Sequence, residues 1–408
     1  MPHCDIITIG SELLSGFTLN TNAQYLAKQL TDLGFCVIRQ ASCHDQIEEI
    51  GRVIDEALGR SDLIILTGGL GPTPDDVTRQ AIAKRFRCDL MFNSEQYRHI
   101  VRLYRKIKQR VPSLTKREAL FPDIGTPLLN HYGIALGFYI EYNRKLIVVL
   151  PGVPRELHGM FKTSVRNLIL KKFKKRESFF KLQAKIVGVS EPVVMTKLGK
   201  QFFKSRVFDF GIYPVPGEVI IRIKTKNRVL RERLKRELKA IFKENLYTFG
   251  DEDFSEAIMK LFVKKKKTLA VAESCTGGWL AKRVTDPSGA SRYFLGGVCA
   301  YANQIKINFL DIPALIIEKH GAVSSIVAKL MAKGIREECG SSLGVGITGI
   351  AGPTGGTPKK PVGLVYVAFS DVKRTKVVRL QIPGERDRVR EWSVNKALFG
   401  IWTWIKKP

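Results

Sequence analysis

Acidic residues are scarce in this chain. Its 408 residues hold 38 Asp and Glu against 67 Lys and Arg, a formal net charge of +29 and a pI near 9.9. Such an excess raises nucleic acid, an anionic membrane surface or anionic small ligands as partners, without choosing among them. It is also compatible with a proteome that is basic throughout. Paired cysteines are lacking too. The seven (Cys4, Cys36, Cys43, Cys88, Cys275, Cys299 and Cys339) are scattered, and no CxxC occurs. That excludes a zinc knuckle and a disulfide framework and predicts a reducing, cytoplasmic setting. No apolar run approaches the ~18–20 uncharged residues of a membrane-spanning helix. The opening MPHCDIITIG has neither a basic n-region nor an apolar h-region, so no signal peptide is expected. Histidine is sparse: beyond residue 248 there is only His320.

What is present is ordinary globular material, 44% apolar and 26% charged, and the length suits two to four domains. Residues 1–170 alternate strand and helix signals. CDIITIG, DLIILTGG and LIVVLPG are apolar strands, and NTNAQYLAKQLTDLG and IEEIGRVIDEALGR carry helical spacing. This predicts a three-layer, mostly parallel α/β domain. KKFKKR (171–176) reads as a linker or a solvated face, opening a small α+β domain over 171–248. From 249 to 408 strands and helices alternate again, predicting a second α/β domain. The charge divides unevenly. Residues 1–170 carry +4, residues 171–248 carry +14 and residues 249–408 carry +11.

Three segments hold the chemistry. In TGGLGPTPDDVT (67–78) an apolar strand runs into Gly68, Gly69 and Gly71 and then the adjacent Asp75 and Asp76. Glycines at a strand's C-terminal end let backbone N–H groups approach an anion, and paired carboxylates suit a divalent cation bridging phosphates. The same residues also make a plain Gly/Pro turn with an N-capping Asp. In AESCTGG (272–278) a strand leads to Ser274, Cys275 and Thr276, and Gly277–Gly278 opens a helix. A hydroxyl at such a turn is exposed, with N–H donors nearby for an oxyanion. No histidine is placed as its base, so Lys306 in YANQIK, with Tyr301 five residues earlier, is the candidate. Cys275 is the other candidate nucleophile, or a small core residue. TGIAGPTGGTPKKPVG (348–363) is a Gly-rich loop with Thr354, Thr357, Lys359 and Lys360, suited to a phosphate-bearing ligand but without P-loop spacing. It also reads as a flexible hairpin loop.

Together these motifs resemble the competence/damage-inducible CinA family along essentially the whole chain. GSELLSGFTLNTNAQYLA (10–27), TGGLGPTPDDVT and LPGVPREL (150–157) are similar to a molybdopterin-binding-type fold. AESCTGGWLA, GGVCAYANQIK (296–306), HGAVS (320–324), TGIAGPTGGTPKKPVG and GERDRVR (384–390) are similar to the family's nicotinamide-mononucleotide amidohydrolase domain. The resemblance implies deamidation of nicotinamide mononucleotide to nicotinic acid mononucleotide and ammonia, without a cofactor. It also implies ADP-ribose hydrolysis by the N-terminal domain with a divalent metal (Co, Mn or Mg) and K⁺. It further implies a homodimer and a KH-like topology for the middle domain. Ser274 falls on the nucleophile, Tyr301 and Lys306 on the family's Tyr and Lys, with the general base left open between them. Thr276, Gly277 and Gly278 fall on the oxyanion site. Thr348, Gly349, Gly352, Gly355, Gly356, Thr357, Lys360 and Arg386 fall on the substrate site. In the N-terminal domain Glu12, Asn22, Gly68, Gly69, Gly71, Thr73, Asn130 and Glu156 line the implied site, with Asp75 and Asp76 on the metal.

Departures concentrate in the N-terminal half: Ile134 and Leu136 replace the usual Thr and Pro, Glu118 replaces Gln, and Pro192 replaces Ser after Glu191. In the C-terminal domain Glu385 replaces Asp. Two other readings remain, a pterin-binding module and a nucleic-acid-binding protein resting on the +14 segment. That segment has no GXXG clamp and no aromatic-rich strand. RVLRERLKRELKAIFK (228–243) instead places its leucines on one face and its cations on the solvated one. Small-molecule nucleotides, rather than specific nucleic acid or a membrane, are therefore the expected partners.

Overall fold

The computed structural model describes residues 1–174, 179–204 and 207–406. The chain forms two compact units, Met1–Ser178 and Phe179–Pro408. Unit 1 is built on strands β1 (His3–Ile9), β2 (Cys36–Cys43), β3 (Leu63–Thr67), β4 (Thr126–Leu128), β5 (Gly137–Tyr142) and β6 (Lys145–Leu150). Their order is β2-β1-β3-β6-β5-β4. The first four in that order run parallel, β5 pairs antiparallel with β6, and β4 pairs antiparallel with β5. Every residue of β3 is buried, because helices cover both faces of the sheet. Alternate residues of β1 feed two cores: Ile7 and Ile9 on one side, Cys4 and Ile6 on the other. This is the expected three-layer α/β arrangement.

Helix α1 (Thr21–Asp32) starts where the Asn20 side chain accepts from Ala23 N–H, and buries Ala23, Leu26 and Leu30. Helix α2 (Ile47–Arg60) buries Ile50, Val53, Ile54 and Ala57, one stripe at helical spacing. Helices α3 (Thr78–Phe86) and α4 (Pro154–Met160) follow the two Gly/Pro turns at the C-terminal ends of β3 and β6. Of the predicted linker 171–176, Lys171 and Lys172 end a helix, while Lys175 and Arg176 lie outside the described residues.

Unit 2 contains two sheets. The first has β7 (Phe180–Val187), α5 (Glu191–Lys204), β8 (Asp209–Val215), β9 (Glu218–Thr225), α6 (Arg228–Phe242) and β10 (Leu246–Thr248). It is antiparallel, in order β8-β9-β7-β10. Leu182, Ala184 and Ile186 alternate inward beside Val219, Ile221 and Ile223, and α6 lays Leu234, Leu238 and Phe242 on them. The cations of α6 are left on its outer face, as its periodicity predicts.

The second sheet comprises β11 (Leu269–Glu273), β12 (Phe294–Cys299), β13 (Leu343–Gly349), β14 (Leu364–Ser370) and β15 (Thr375–Gln381), in order β12-β11-β13-β14-β15. Helices α7 (Phe254–Lys264), α8 (Trp279–Thr285), α9 (Asn303–Leu310), α10 (Ser325–Glu338) and α11 (Arg386–Lys406) surround it. β15 carries no clear sequence signal, since an edge strand with both faces largely exposed needs no apolar alternation. Trp402 on α11 donates to the Glu244 carbonyl and stacks edge-on with Phe254, joining the two sheets into one body. Among the described residues no helix is long and apolar enough to cross a membrane.

Candidate functional site

The C-terminal ends of β11 and β13 carry two of the three predicted motifs, as expected for ligand sites of open α/β sheets. Ser274 follows β11 directly, its N–H bound to the Ile347 carbonyl on β13 at 2.9 Å. Lys306, on the first turns of α9, is 1% exposed. Its ammonium nitrogen lies 2.7 Å from the Ala300 carbonyl, 3.0 Å from the Tyr301 carbonyl and 3.4 Å from Ser274 Oγ. Two carbonyls thus fix two N–H bonds, and the third tetrahedral position faces the serine. Burial pushes the lysine pKa below its ordinary value, because a charged amine loses its hydration there. In the neutral amine that third position is a lone pair aimed at the Ser274 hydroxyl.

Tyr301 is placed differently. It is 59% exposed, and its hydroxyl oxygen accepts from Arg386 at 3.1 Å. Its contribution next to Ser274 is its backbone carbonyl, so of the two candidate bases Lys306 is the one whose side chain lies beside Ser274. Cys275 is buried at 6% exposure, and burial pushes its thiol up to about 12. A thiol that stays protonated at neutral pH is a poor nucleophile. Thr276 is fully buried, with no partner for its hydroxyl, while its carbonyl accepts from Arg390 at 3.1 Å. Gly277 and Gly278 sit at φ 60° and 87°, values that suit glycine. The Gly277 amide is already bound to the Ser274 carbonyl at 3.0 Å. Of the two predicted oxyanion glycines, only Gly278 keeps its N–H.

The Gly-rich loop after β13 is less open than its sequence suggests. Thr348 donates its hydroxyl to the Ala322 carbonyl. Thr357 and Lys360 exchange backbone bonds, and Thr357 Oγ accepts from the Lys360 amide. The Lys360 ammonium binds the His320 carbonyl at 2.7 Å. Both side chains thus make bonds that brace the loop. Gly349, Gly352, Gly355 and Gly356 shape it. A side chain at Gly349 would meet Val365, and one at Gly352 or Gly356 would meet Val362. The Gly352 carbonyl accepts from Arg386 at 2.8 Å, which ties the loop to Tyr301. Two residues passed over in the motifs join the site here: Arg390, lying over the Trp279 ring, and Glu273. Helical spacing from Arg386 was the available signal for Arg390.

In unit 1 the β3 turn approaches its neighbours closely. A side chain at Gly68 would fall 2.0 Å from the Ile9 carbonyl oxygen, one at Gly69 2.2 Å from Thr78 Oγ, and one at Gly71 2.5 Å from Asp76 Oδ2. Asn22 is buried and donates to the Gly152 carbonyl at 2.6 Å, joining α1 to the turn after β6. Its Oδ1 has no partner. Asn130 donates to Glu156 at 2.5 Å, and burial raises the Glu156 carboxyl. Glu12 stays exposed beside Gly10.

The two carboxylates expected to hold a metal do not make a cage. Asp75 is exposed, with Thr73 holding its carboxyl below the usual range, and Asp76 accepts from both the amide and the hydroxyl of Thr73. Among the described residues no group of three or more His, Cys, Asp or Glu is placed to hold an ion. The donors do not fit a divalent metal held by protein alone.

Two buried ionisable side chains, inconspicuous in the sequence, lie beside this turn. Arg79 is 2% exposed and donates to the Leu70 and Leu120 carbonyls. Glu118, also 2% exposed, leaves Oε2 without a partner. Burial lifts its pKa from 4.5 to about 7 despite the attraction of Arg79. The fold therefore favours the protonated acid, and stability falls as pH rises from about 4.5 through about 7. Glu118→Gln is expected to stabilise the protein by about 1–3 kcal/mol at pH 8 and by little at pH 5. Urea denaturation at both pH values checks this, and an equal change at the two would refute it.

Comparison with known proteins agrees with this organisation. Residues 251–404 match the family described as the CinA C-terminal domain, and residues 5–171 match the probable molybdopterin binding domain. The chain is 37% identical over 409 residues to a competence-damage inducible protein of Clostridium acetobutylicum, covering 99% of this chain and 98% of that one. It is 36% identical to a CinA-like protein of Kosmotoga olearia, covering 97% of each. Among solved structures, that of CinA from Thermoplasma acidophilum is 34% identical, covering 41% of this chain and 98% of that one, with a TM-score of 0.38. With relatives this similar across nearly its whole length, the chain belongs to the CinA family of competence-damage inducible proteins.

Proposed function

We propose that unit 2 hydrolyses the amide of nicotinamide mononucleotide, giving nicotinic acid mononucleotide and ammonia. The observation that carries this is the buried Lys306 amine, held by two carbonyls with its remaining position 3.4 Å from Ser274 Oγ. Neutral Lys306 takes the Ser274 proton as Oγ bonds to the amide carbon. The carbonyl oxygen becomes an oxyanion beside the backbone amides of the 274–278 turn. Collapse breaks the C–N bond, and Lys306 returns the proton to the departing nitrogen, which leaves as ammonia. Water then loses a proton to Lys306 as its oxygen bonds to the ester carbon; the C–Oγ bond breaks, Lys306 hands that proton to Ser274 Oγ, and the acid leaves. The serine's first proton thus leaves in ammonia, one from water replaces it, and Lys306 ends neutral, ready for the next turnover. Arg386 and Arg390, brought in from one face of α11, supply positive charge for a phosphorylated substrate.

Ammonia release from nicotinamide mononucleotide, nicotinamide riboside and nicotinamide tests the reading. Turnover should favour the phosphorylated compound by at least about tenfold, the scale of one good charge-assisted contact. Absence of ammonia from the mononucleotide would refute it. Because the carboxylates of unit 1 do not fit a protein-held metal, no metal-dependent step is drawn there, and the proposal rests on unit 2 alone.

A further inference from the structure

Glu273 is the last residue of β11, adjacent to Ser274, and is 1% exposed. A carboxylate so deeply placed needs donors close by, and it has two. Oε2 accepts from the Leu280 amide at 3.0 Å and Oε1 from the Ala281 amide at 2.7 Å. Both donors belong to the first turn of α8, whose capping residue is Gly278 and so offers no side chain. The carboxylate precedes the Ser274–Gly278 turn and its donors follow it, so the two bonds close a clasp across the turn.

The remaining amides divide in a consistent way. Ser274 N–H binds the Ile347 carbonyl, Gly277 N–H the Ser274 carbonyl and Trp279 N–H the Thr276 carbonyl. Among the described residues the N–H groups of Thr276 and Gly278 have no acceptor, while that of Cys275 meets its own thiol. Without the clasp, the unbound amides of Leu280 and Ala281 would compete for any acceptor at the turn, and Gly277–Gly278 would be free to reorient.

We propose that Glu273 is a positioning residue for the Ser274 reaction: by binding the Leu280 and Ala281 amides it holds the turn with the Thr276 and Gly278 amides available to the oxyanion. This rests on the reading of Ser274 as nucleophile. The carboxylate transfers no proton; its oxygens are committed to the two amides. Its effect therefore belongs to the step in which the oxyanion forms and shows in kcat rather than KM.

The test uses the full-length protein with Glu273→Ala and the near-isosteric Glu273→Gln. Loss of oxyanion donors costs about 10²–10³ in kcat, so Glu273→Ala should lower kcat on nicotinamide mononucleotide by about 10²-fold. KM should stay within about threefold. Glu273→Gln keeps one acceptor oxygen and should recover part of that loss. The acid limb of the pH–rate profile should not move, because Lys306 is untouched. In hydrogen exchange, peptides covering 274–281 should take up deuterium faster in Glu273→Ala, with other peptides unchanged. A kcat within threefold of wild type, a loss confined to KM, or unchanged exchange at 274–281 would each overturn the proposal. If Glu273→Ala does not fold, Glu273→Gln carries the same readouts. If wild type releases no ammonia, the substrate reading fails on its own, and hydrogen exchange still decides the role of Glu273.

Discussion

Ser274→Ala should lower ammonia release from nicotinamide mononucleotide by at least about 10³-fold while leaving the fold intact. Removing a nucleophile abolishes the covalent route and leaves only what binding and oxyanion donors provide, and in hydrolytic enzymes that loss is about 10³–10⁶ in kcat. The substitution deletes one oxygen whose side-chain partner is Lys306, at 3.4 Å. The backbone bond from residue 274 to Ile347 does not depend on the side chain. Stability should consequently shift by less than about 1 kcal/mol. Cys275→Ala is the matched control. That thiol is buried and pushed up to about 12, so its loss should leave turnover within a few-fold. A coupled ammonia assay reads both. If Ser274→Ala kept its rate and Cys275→Ala lost it, the nucleophile would be the cysteine.

Lys306→Met should be nearly as severe on rate, about 10²–10⁴-fold, and mild on stability. Methionine matches the length and apolar stem of the side chain. It leaves the Ala300 and Tyr301 carbonyls without a donor, at about 1–3 kcal/mol each, but also removes a buried amine. The two effects oppose each other, and calorimetry should find Tm within several degrees of wild type. The double variant with Ser274→Ala should be no slower than the worse single, because the two groups act as one unit. The pH dependence has a defined sign. Burial lowers the lysine pKa from its ordinary 10.5, and the base works only when neutral. Activity should therefore be lost as pH falls below the lowered pKa and reach a plateau above it. Residual turnover of Lys306→Met with the same acid limb would show that another group is the base.

Both substitutions concern residues that the sequence made conspicuous, yet their pairing came from the fold. Ser274 stands out because a strand, a hydroxyl and two glycines follow one another. Lys306 lies 32 residues away, and its role depends on two carbonyls at 300 and 301 whose direction no pattern of residue types encodes. The same limit explains Tyr301, whose family match put it level with Lys306. Its hydroxyl in fact meets Arg386, while its carbonyl serves the lysine. Thr357 and Lys360 show a related limit. Hydroxyls and cations in a Gly-rich loop suit a phosphate equally well whether they project from the loop or brace it, and here they brace it. Asp75 and Asp76 show the converse case. Adjacent carboxylates look like a metal pair, but Asp76 is taken up by Thr73 and no group of three His, Cys, Asp or Glu converges among the described residues, and convergence is a property of three dimensions.

By itself the sequence determined the periodicities that make the elements, hence the two α/β sheets and the antiparallel sheet of alternating Leu182, Ala184 and Ile186. It also determined the family and the turns at which reactive residues sit. These are local properties, set by residue spacing and by glycines that accept positive φ. Only the tertiary structure decided which buried groups lack a partner, which amides stay unbound and which charges are neutralised. Glu118, Arg79, Glu273 and Lys306 are ordinary charged residues in the sequence. They became informative when burial removed their water, since a polar group without solvent must find a protein partner, change its protonation or act on one.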